Sequence, residues 1–392
     1  MLNTLAISNY RSLSDLIVPL GRLNLITGAN GSGKSNFYRA LRLLAETASG
    51  GVVRALAREG GLASSYWAGP AELSRRMRSG EAPVQGSRNQ KPKRLKLGFA
   101  ADDFSYAIAL GLPSRDSPHH GETSAFTLDP EVKHESIWAG NVYRPASALI
   151  EREGWVIKVR REREWDILNI RLGAFDSIFR AVADPTVTPE IFQLRESIQG
   201  WRFYDHFRTD SEAAARTPQL GTRTQALHHD GHDLAAALQT IREVGDSDAL
   251  DAAIADAFPG ARVDIDVQSD GRFALMFYQE GLLRPLMGSE LSDGTLRYIL
   301  WVAALLSPRP PPLMVLNEPE TSLHPGLLAP LARLIANVAA QTQVWVISHA
   351  PPLISGLAAH RDCNLIELEK MLGQTTVRGQ GMLDRPSWRW PD

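Results

Sequence analysis

The chain has 392 residues, 44% of them apolar, and a formal net charge of −2 at pH 7. A chain of this length can bury a large core, and length alone suggests about two or three compact units. The small net charge gives no overall field that would attract nucleic acid, so any such binding would depend on local patches. The single cysteine, Cys363, excludes an intrachain disulfide and a cysteine-based metal cluster.

The amino terminus has neither the charged start nor the sustained apolar core of a secretory signal. No stretch approaches the roughly 18 consecutive apolar residues that a membrane-spanning helix needs. We therefore expect a cytoplasmic protein of bacterial type with no membrane partner.

The first motif lies between a predicted strand and a predicted helix. Residues 2–27 predict two or three strands, and residues 36–49 have helical spacing. Between them, residues 28–35 read Gly-Ala-Asn-Gly-Ser-Gly-Lys-Ser. Glycines let backbone N–H groups surround a phosphate, and the helix N-terminus adds a positive dipole end. The pattern predicts a phosphate-binding loop, in which Lys34 would reach the β- and γ-phosphates and Ser35 would bind Mg²⁺. A glycine-rich turn without a function is the alternative.

Residues 51–259 predict an inserted α+β lobe. A polar and basic stretch, residues 75–96, predicts an exposed loop, and contact with DNA is the alternative for it. Strands are predicted at 95–100, 104–110, 131–138 and 155–159. A helical pattern then extends over residues 167–258, interrupted by Pro185, Pro189 and a loop at 217–224. It lacks the sustained heptads of a long coiled-coil arm.

A second anion site is predicted after two further strands, 262–267 and 273–278. Ser292, Asp293 and Gly294 precede an apolar helix, and a serine hydroxyl with a glycine N–H at a helix start binds anions.

Two later apolar strands carry polar side chains at their tips. Residues 312–316 lead into Asn317 and Glu318, and residues 344–348 lead into His349. An acidic residue at such a tip can activate water beside a γ-phosphate, and a histidine can hydrogen-bond that phosphate or the water. Structural roles, as a packed carboxylate or a capping histidine, are the alternatives.

The order of these motifs resembles that in the ABC-type ATPase heads of the RecF, SMC and OLD group. The resemblance implies an AAA-family ATPase with neither a coiled-coil arm nor a toprim domain. Residues 9–13 (Asn-Tyr-Arg-Ser-Leu) and 230–235 (Asp-Gly-His-Asp-Leu-Ala) fit as well. The resemblance implies an α/β P-loop NTPase of ABC/RecF-like type with a mixed sheet and an inserted α+β lobe. Its parts would be the first half of the ATPase core at 1–50, the lobe at 51–259 and the second half at 260–392.

In that family two heads meet face to face, and each ATP lies between the phosphate loop of one protomer and the signature motif of the other. The resemblance therefore implies ATP hydrolysis, ATP and Mg²⁺ as cofactors and an ATP-dependent homodimer. The implied contacts in cis are Gly28, Asn30, Gly31, Ser32, Gly33, Lys34, Ser35 and Asn36, with Arg11 near the adenine. Ser292, Asp293 and Gly294 would hold the γ-phosphate in trans.

The resemblance also implies roles at the strand tips. Glu318 would be the general base and His349 the switch histidine, acting with Lys34 in catalysis. Ser322 and His324 would lie in the loop that crosses the dimer interface. The implied metal residues are Ser35, Asn317 and Glu318.

One position departs from the family pattern. The usual aspartate before the catalytic glutamate is Asn317, which has no charge to support the Mg²⁺ shell. Metal binding would then be weaker or would borrow Glu320, although a neutral amide still accepts a bond from a metal-bound water. The metal-contacting glutamine of such heads has two candidates, Gln193 and Gln199.

Two functions fit this pattern. The first is a DNA-associated ATPase in repair or anti-phage defence; the second is a slow ATP-dependent switch that regulates a separately encoded effector. A transporter subunit is disfavoured because the insertion is too large. His228, Asp230 and His232 could mimic a metal cluster, while their match to the family's Asp-Gly element favours a structural loop.

Overall fold

The structure is a computed structural model, which describes residues 1–70, 94–113, 125–162, 164–170, 172–181, 186–381 and 383–391. The chain forms two compact units, each assembled from separate segments. Unit 1 comprises Met1–Leu20, Gly28–Gln199 and Ile366–Asp392, and unit 2 comprises Gly21–Thr27 and Gly200–Leu365. The division at residues 50 and 259 stays a prediction.

The described strands, in chain order, are β1 (Leu2–Tyr10), β2 (Leu13–Pro19), β3 (Leu23–Gly28), β4 (Leu95–Ala101), β5 (Phe104–Gly111), β6 (Glu131–Ala139), β7 (Ala148–Glu153), β8 (Val156–Arg161), β9 (Glu164–Ile167), β10 (Arg202–Tyr204), β11 (Gln219–Leu220), β12 (Arg262–Val267), β13 (Arg272–Tyr278), β14 (Leu286–Met287), β15 (Leu313–Asn317), β16 (Gln343–Ile347), β17 (Cys363–Met371) and β18 (Gln374–Val377). The helices are α1 (Lys34–Ala48), α2 (Val52–Arg58), α3 (Leu62–Ser65), α4 (Ile178–Ala181), α5 (Pro189–Gln199), α6 (Leu234–Val244), α7 (Ser247–Ala257), α8 (Asp293–Leu305), α9 (Leu328–Val338) and α10 (Pro351–Ala358).

Unit 1 is built on an antiparallel sheet with the strand order β2-β1-β4-β5-β6-β7-β8-β9. The strands predicted at 95–100, 104–110, 131–138 and 155–159 are present as β4, β5, β6 and β8. The carboxyl-terminal tail packs on this sheet, where Trp388 lies edge-on to Trp138 with ring centroids 5.6 Å apart.

A buried ion pair lies inside unit 1. The side chains of Glu135 on β6 and Arg152 on β7 are 0% exposed, and Arg152 Nη1 lies 2.7 Å from Glu135 Oε2. Tyr106 and Ser177 each donate to Glu135 Oε1 at 2.7 Å, and the Arg152 guanidinium also donates to backbone carbonyls. A buried charge is stable only when it is paired and hydrogen-bonded, as both groups are here.

Unit 2 is built on a parallel sheet with the order β10-β15-β16-β3. The residues Leu313–Leu316 are all buried, as expected for parallel strands covered on both faces. Helix α8 contributes the largest part of the apolar core, with every residue from Leu296 to Leu305 buried. Because these strands are parallel, their carboxyl ends lie at one edge of the sheet.

A second, antiparallel sheet of unit 2 has the order β11-β13-β12, with β14 paired to β13. It contains the strands predicted at 262–267 and 273–278.

The helical pattern predicted over residues 167–258, with a loop at 217–224, is wrong at residues 202–204, and the predicted loop contains a short strand. Residues 202–204 form β10 beside β15, and residues 219–220 form β11. Runs of two or three residues carry no readable alternation, so pairing with a distant strand decides their conformation.

The described residues contain no long arm. Their longest helix is α1, with 15 residues, which corresponds to a length of about 22 Å. None of the helices among them combines the length and apolar character needed to cross a membrane.

Candidate functional site

The phosphate-binding loop occupies its predicted place, between β3 and α1. Gly28, Gly31 and Gly33 have φ angles of 142°, 79° and 111°, which side chains other than glycine rarely adopt. Lys34 is 8% exposed, and its Nζ donates to the carbonyls of Gly28 at 2.5 Å and Ala29 at 3.2 Å. The ammonium group is thus held over the loop by two of the loop's own carbonyls.

Two of these glycines are also required sterically. A Cβ at Gly33 would overlap the hydroxyl of Thr375, and a Cβ at Gly28 would overlap the carbonyl of Leu368. At Gly31 a Cβ would meet no atom within 4 Å. Strands β17 and β18, which carry Leu368 and Thr375, therefore limit the shape of the loop within unit 1.

A chain of hydrogen bonds links β18 to the loop. The Thr375 hydroxyl is 0% exposed and donates to the carbonyl of Ser32 at 2.8 Å. Its one proton is then used, so at 2.7 Å the Ser12 hydroxyl donates to Thr375, and Asn36 donates to Ser12 at 2.8 Å. Thr375 was not predicted, because nothing in its local sequence points to a loop 343 residues earlier.

Arg11, predicted to lie near the adenine, is bound to an acidic side chain of unit 1. Its Nη2 lies 3.0 Å from Glu59 Oε2, and the Tyr10 hydroxyl donates to the same oxygen at 2.6 Å. Burial, followed by the Glu59 carboxylate, raises the pKa of Tyr10, which keeps its donating proton in place. In this structure the guanidinium of Arg11 therefore serves an internal ion pair.

In unit 2, Glu318 follows directly after β15. Its φ of 50° turns the chain, and its N–H donates to the carbonyl of Ile347 at 2.8 Å. The N–H of Ser348 donates in turn to Ile26 at 3.1 Å. The ends of β15, β16 and β3 are thus held together at one edge of the sheet, and the Glu318 side chain is 48% exposed there.

The structure brings Glu318 and His349 together. Nδ1 of His349 lies 3.7 Å from Glu318 Oε1 and 3.4 Å from Glu320 Oε1. The imidazole is 54% exposed. The two side chains predicted from separate strand tips therefore share one exposed edge.

Glu320 has a different environment from Glu318. Its side chain is 6% exposed. Its Oε1 accepts hydrogen bonds from Ser348 Oγ at 2.7 Å, His349 N at 2.9 Å and Ala350 N at 3.2 Å. These bonds cap the start of α10 and join the loop after β15 to the loop after β16. Oε1 of Glu320 therefore has a structural role, and a contribution of this residue to the metal site stays a prediction.

Asn317 has an acidic neighbour on the adjacent strand. Its Nδ2 lies 3.4 Å from Oδ1 of Asp205, the residue that follows β10. Both side chains are half-buried. Asp205 was not predicted, because residues 200–205 were assigned to a helical region.

The signature residues begin α8 as predicted. The Ser292 side chain caps the helix by accepting from Thr295 N at 3.2 Å, and the residue is exposed. Arg216 fixes the preceding turn: it donates to Leu291 O at 2.7 Å and lies 2.6 Å from Asp293 Oδ1. The Arg216 side chain is 8% exposed. This arginine fixes the start of α8, and no sequence pattern indicated it.

The start of α8 is joined to the loop after β15 within unit 2. Arg297 is buried and donates to Thr321 O at 2.8 Å and to Thr209 Oγ1 at 2.9 Å. A Cβ at Gly294 would lie 3.3 Å from the carbonyl of Ser322. The exposed residues at 292–293 and 321–322 therefore form one surface, which we call the signature face.

His324 has a local partner. Its Nδ1 accepts from Gly326 N at 3.1 Å and caps the 3₁₀ turn Pro325–Leu327. This is a structural role in the loop beyond the signature face.

The positions of the two candidate glutamines do not indicate a contact with a metal for either one. Gln199 donates to Ala48 O at 3.1 Å, at the end of α1 opposite the phosphate loop, and Gln193 is exposed on α5. Most of the basic stretch at 75–96 lies outside the described residues, which omit 71–93.

The histidine cluster forms a turn that starts α6. Nδ1 of both His228 and His232 lies 2.7 Å from Asp230 Oδ1. Burial opposes ionisation of Asp230, but these bonds prevail and hold its pKa well below the usual range. Asp233 accepts from His228 N at 3.0 Å. The three ligand atoms lie within 4.8 Å of one another, yet the hydrogen bonds account for the arrangement as a loop-to-helix turn.

The residues implied for a metal have suitable chemistry. Ser35, Asn317 and Glu318 offer hydroxyl, amide and carboxylate oxygens, which are the donors that Mg²⁺ prefers. Of these, Ser35 and Glu318 are exposed.

Comparisons with known proteins agree with the predicted class. Residues 165–355 match a family described as AAA domain, putative AbiEii toxin, Type IV TA system, and residues 1–73 match the AAA ATPase domain family. No curated protein matches the sequence significantly. These two family matches confirm the predicted resemblance to AAA-family ATPases.

Solved structures indicate the fold. An SMC head bound to the C-terminal winged-helix domain of ScpA is similar with a TM-score of 0.50 and 12% identity, covering 97% of this chain and 98% of that one. The SMC head domain from Thermotoga maritima has a TM-score of 0.49 and 14% identity, covering 97% and 99%. The first of these shows that the chain shares the fold of an SMC head, in agreement with the predicted α/β P-loop fold class.

Proposed function

We propose that the protein binds ATP with Mg²⁺ and hydrolyses it. The observation that supports this most directly is the phosphate loop of residues 28–35, which continues from β3, a strand of the parallel sheet whose neighbours lead into Glu318 and His349. In the proposed reaction Lys34 and the loop N–H groups bind the phosphates. Glu318 accepts a proton from the attacking water, and His349 orients that water or the γ-phosphate.

When bound, Mg²⁺ supplies charge neutralisation for the phosphates. Ser35, Asn317 and Glu318 are the residues proposed to hold it, directly or through water.

Phosphate release tests the proposal. Glu318→Gln removes the base and should lower kcat by about 10²- to 10⁴-fold with ATP binding retained, whereas Lys34→Ala should abolish ATP binding. The control is Glu280→Gln, the same carboxylate-to-amide change at an exposed residue of unit 2. It should leave kcat and ATP binding unchanged. Full hydrolysis by Glu318→Gln would refute the assigned base, and full hydrolysis by Lys34→Ala would refute the phosphate site.

We further propose that two copies close on ATP, so that the signature face of one binds the γ-phosphate held by the other. The exposed Ser292 at the start of α8 supports this, since a helix N-terminus with a free face is a suitable anion site. A symmetric dimer presents the same face twice, which would complete two pockets at once.

Mixing two inactive variants tests the arrangement in trans. Lys34→Ala and Ser292→Arg should each be inactive alone. In a mixed dimer one pocket regains both intact parts, so random mixing should restore about a quarter of the activity. No recovery, together with a monomeric Glu318→Gln variant in ATP and Mg²⁺, would exclude the shared pocket.

For the biological role we propose association with DNA in repair or anti-phage defence. The support is the family resemblance and the basic stretch at 75–96. Salt-sensitive binding to duplex, single-stranded or end-bearing DNA, with and without ATP, is the expected result. Binding to none of these would exclude the DNA role.

The second candidate, a slow switch for an effector protein, is favoured by Asn317, since a metal site with less charge implies slow turnover. Slow hydrolysis that rises on adding the effector is expected. Rapid steady-state hydrolysis by the protein alone would argue against it.

A further inference from the structure

The acidic residue missing from position 317 has a counterpart on the next strand. β10 is parallel to β15, with Tyr204 opposite Leu316. The next residues along the two strands, Asp205 and Asn317, therefore lie side by side at the carboxyl edge of the sheet. A carboxylate is present at the level of the family's aspartate, but it comes from a residue 112 positions earlier.

The contact between the two side chains fixes which way the amide faces. A carboxylate only accepts hydrogen bonds, so the atom of Asn317 that lies 3.4 Å from Asp205 Oδ1 is the NH₂ nitrogen. The amide oxygen of Asn317 then faces away from Asp205 and is available to accept from a metal-bound water. The arrangement of carboxylate, amide and water is the kind of outer-shell bonding that orients metal ligands and raises their affinity.

We infer that Asp205 supplies from the neighbouring strand the negative charge that Asn317 lacks, and that it strengthens Mg²⁺ binding by orienting the Asn317 amide. The inference rests on the proposed ATPase function and names a positioning residue for its metal. Position explains why a neutral residue is tolerated after β15: the charge has moved one strand across the sheet rather than being lost.

The experiment titrates Mg²⁺ into the full-length protein with a fluorescent ATP analogue and measures the Mg²⁺ concentration at half-maximal effect. Asp205→Asn should raise that concentration about 10- to 100-fold. Its affinity for the analogue in EDTA should stay at the wild-type value, because the phosphate loop is intact. Asp266→Asn, an exposed carboxylate on β12, is the matched control and should change neither quantity.

Exchanging the two residues gives the decisive variant. Asp205→Asn combined with Asn317→Asp moves the carboxylate to the tip of β15 and should return the Mg²⁺ requirement to near the wild-type value. A purely structural role for Asp205 does not predict this rescue. Asn317→Ala alone removes the amide that Asp205 orients and should raise the Mg²⁺ requirement, so this variant tests the inference even if Asp205→Asn fails to fold.

The outcomes distinguish the role of Asp205 from the proposed ATPase function. An unchanged Mg²⁺ requirement in Asp205→Asn, or a folded exchange variant without rescue, would overturn the role of Asp205 while nucleotide binding stands. If Asp205→Asn does not fold, an unchanged requirement in Asn317→Ala would overturn it. A wild-type protein that binds no analogue with or without Mg²⁺ would overturn the proposed function, and the inference with it.

Discussion

Nδ1 of His349 lies 3.7 Å from Oε1 of Glu318, although the two residues follow different strands. The contact exists because β15 and β16 are parallel neighbours, paired up to Asn317 and Ile347, so the residues that follow them emerge together. The backbone bond from Glu318 N to Ile347 O holds this geometry. An imidazole beside a carboxylate can orient it and share a water with it.

Removal of the imidazole should therefore slow hydrolysis without preventing binding. We expect His349→Ala to lower kcat by about 10²-fold, the lower end of the effect of a positioned proton-transfer group. ATP affinity should change little. Phosphate-release kinetics and nucleotide titration check both quantities. The control is His360→Ala, an exposed histidine beyond α10, and equal kcat values for the two variants would contradict the role.

Arg216 should control the signature face. Its guanidinium bonds Leu291 O and Asp293 beside Ser292, so Arg216→Met should release the turn before α8. We expect roughly tenfold slower hydrolysis and weaker ATP-dependent dimerisation, with nucleotide binding by the monomer retained. The loss of bonds from a charged group should also cost about 2 kcal/mol of stability. Arg208→Met, which removes an exposed arginine paired with Asp210, is the control; an equal effect of both changes would show that the fixing role is wrong.

Alanine substitutions at two glycines of the phosphate loop should have different effects on nucleotide binding. Gly33→Ala places a methyl group against Thr375 and should abolish nucleotide binding, because the loop must move. Gly31→Ala meets no neighbouring atom, and its cost is the strain of a positive φ, about 1 kcal/mol. Thermal unfolding and nucleotide titration compare the two variants. Binding by Gly33→Ala as tight as that of Gly31→Ala would contradict the steric role of Thr375.

The buried pair Glu135–Arg152 should dominate the stability of unit 1. Glu135→Ala leaves the Arg152 charge buried without its partner and should cost about 3–5 kcal/mol in the free energy of unfolding. The exposed pair Arg161–Asp166, with side chains 56% and 53% exposed, is the matched control, and Asp166→Ala should cost at most about 1 kcal/mol. Urea unfolding measures both. Similar losses for the two variants would mean that burial of the first pair does not matter.

The thiol of Cys363 should react slowly near neutral pH. Burial raises its pKa to about 11 from an ordinary value of 9.0. The folded protein should therefore react with thiol reagents much more slowly than the unfolded chain at pH 8, and faster as the pH approaches 11. The sign for stability follows: the contribution of this group is complete below pH 9 and is lost as the pH rises toward 11. Labelling rates that are equal in the folded and unfolded states would contradict this.

Local pattern was sufficient for much of the molecule. The glycine spacing of residues 28–33 and the apolar run before Asn317 each determine a strand and a following loop through short-range chemistry, and both were predicted. The packing of the tail, with Trp388 against Trp138, is instead a contact between distant segments.

The parts that were missed depend on contacts between distant segments. β10 has three residues and exists because β15 lies beside it. Asp205, Arg216 and Thr375 have no motif of their own, since each acts on a loop more than 70 positions away along the chain. The bonds of Glu320 also depend on a distant segment, because its Oε1 accepts from Ser348, 28 positions later along the chain.

The three hydrogen bonds accepted by Glu320 have a mechanical consequence. They join the segment that carries the proposed base to the segment that carries the proposed switch histidine. The side chain that accepts them is 6% exposed. Neither segment can shift alone without breaking bonds to a buried carboxylate. A rearrangement during a nucleotide cycle that keeps these bonds would therefore move Glu318, His349 and the start of α10 together.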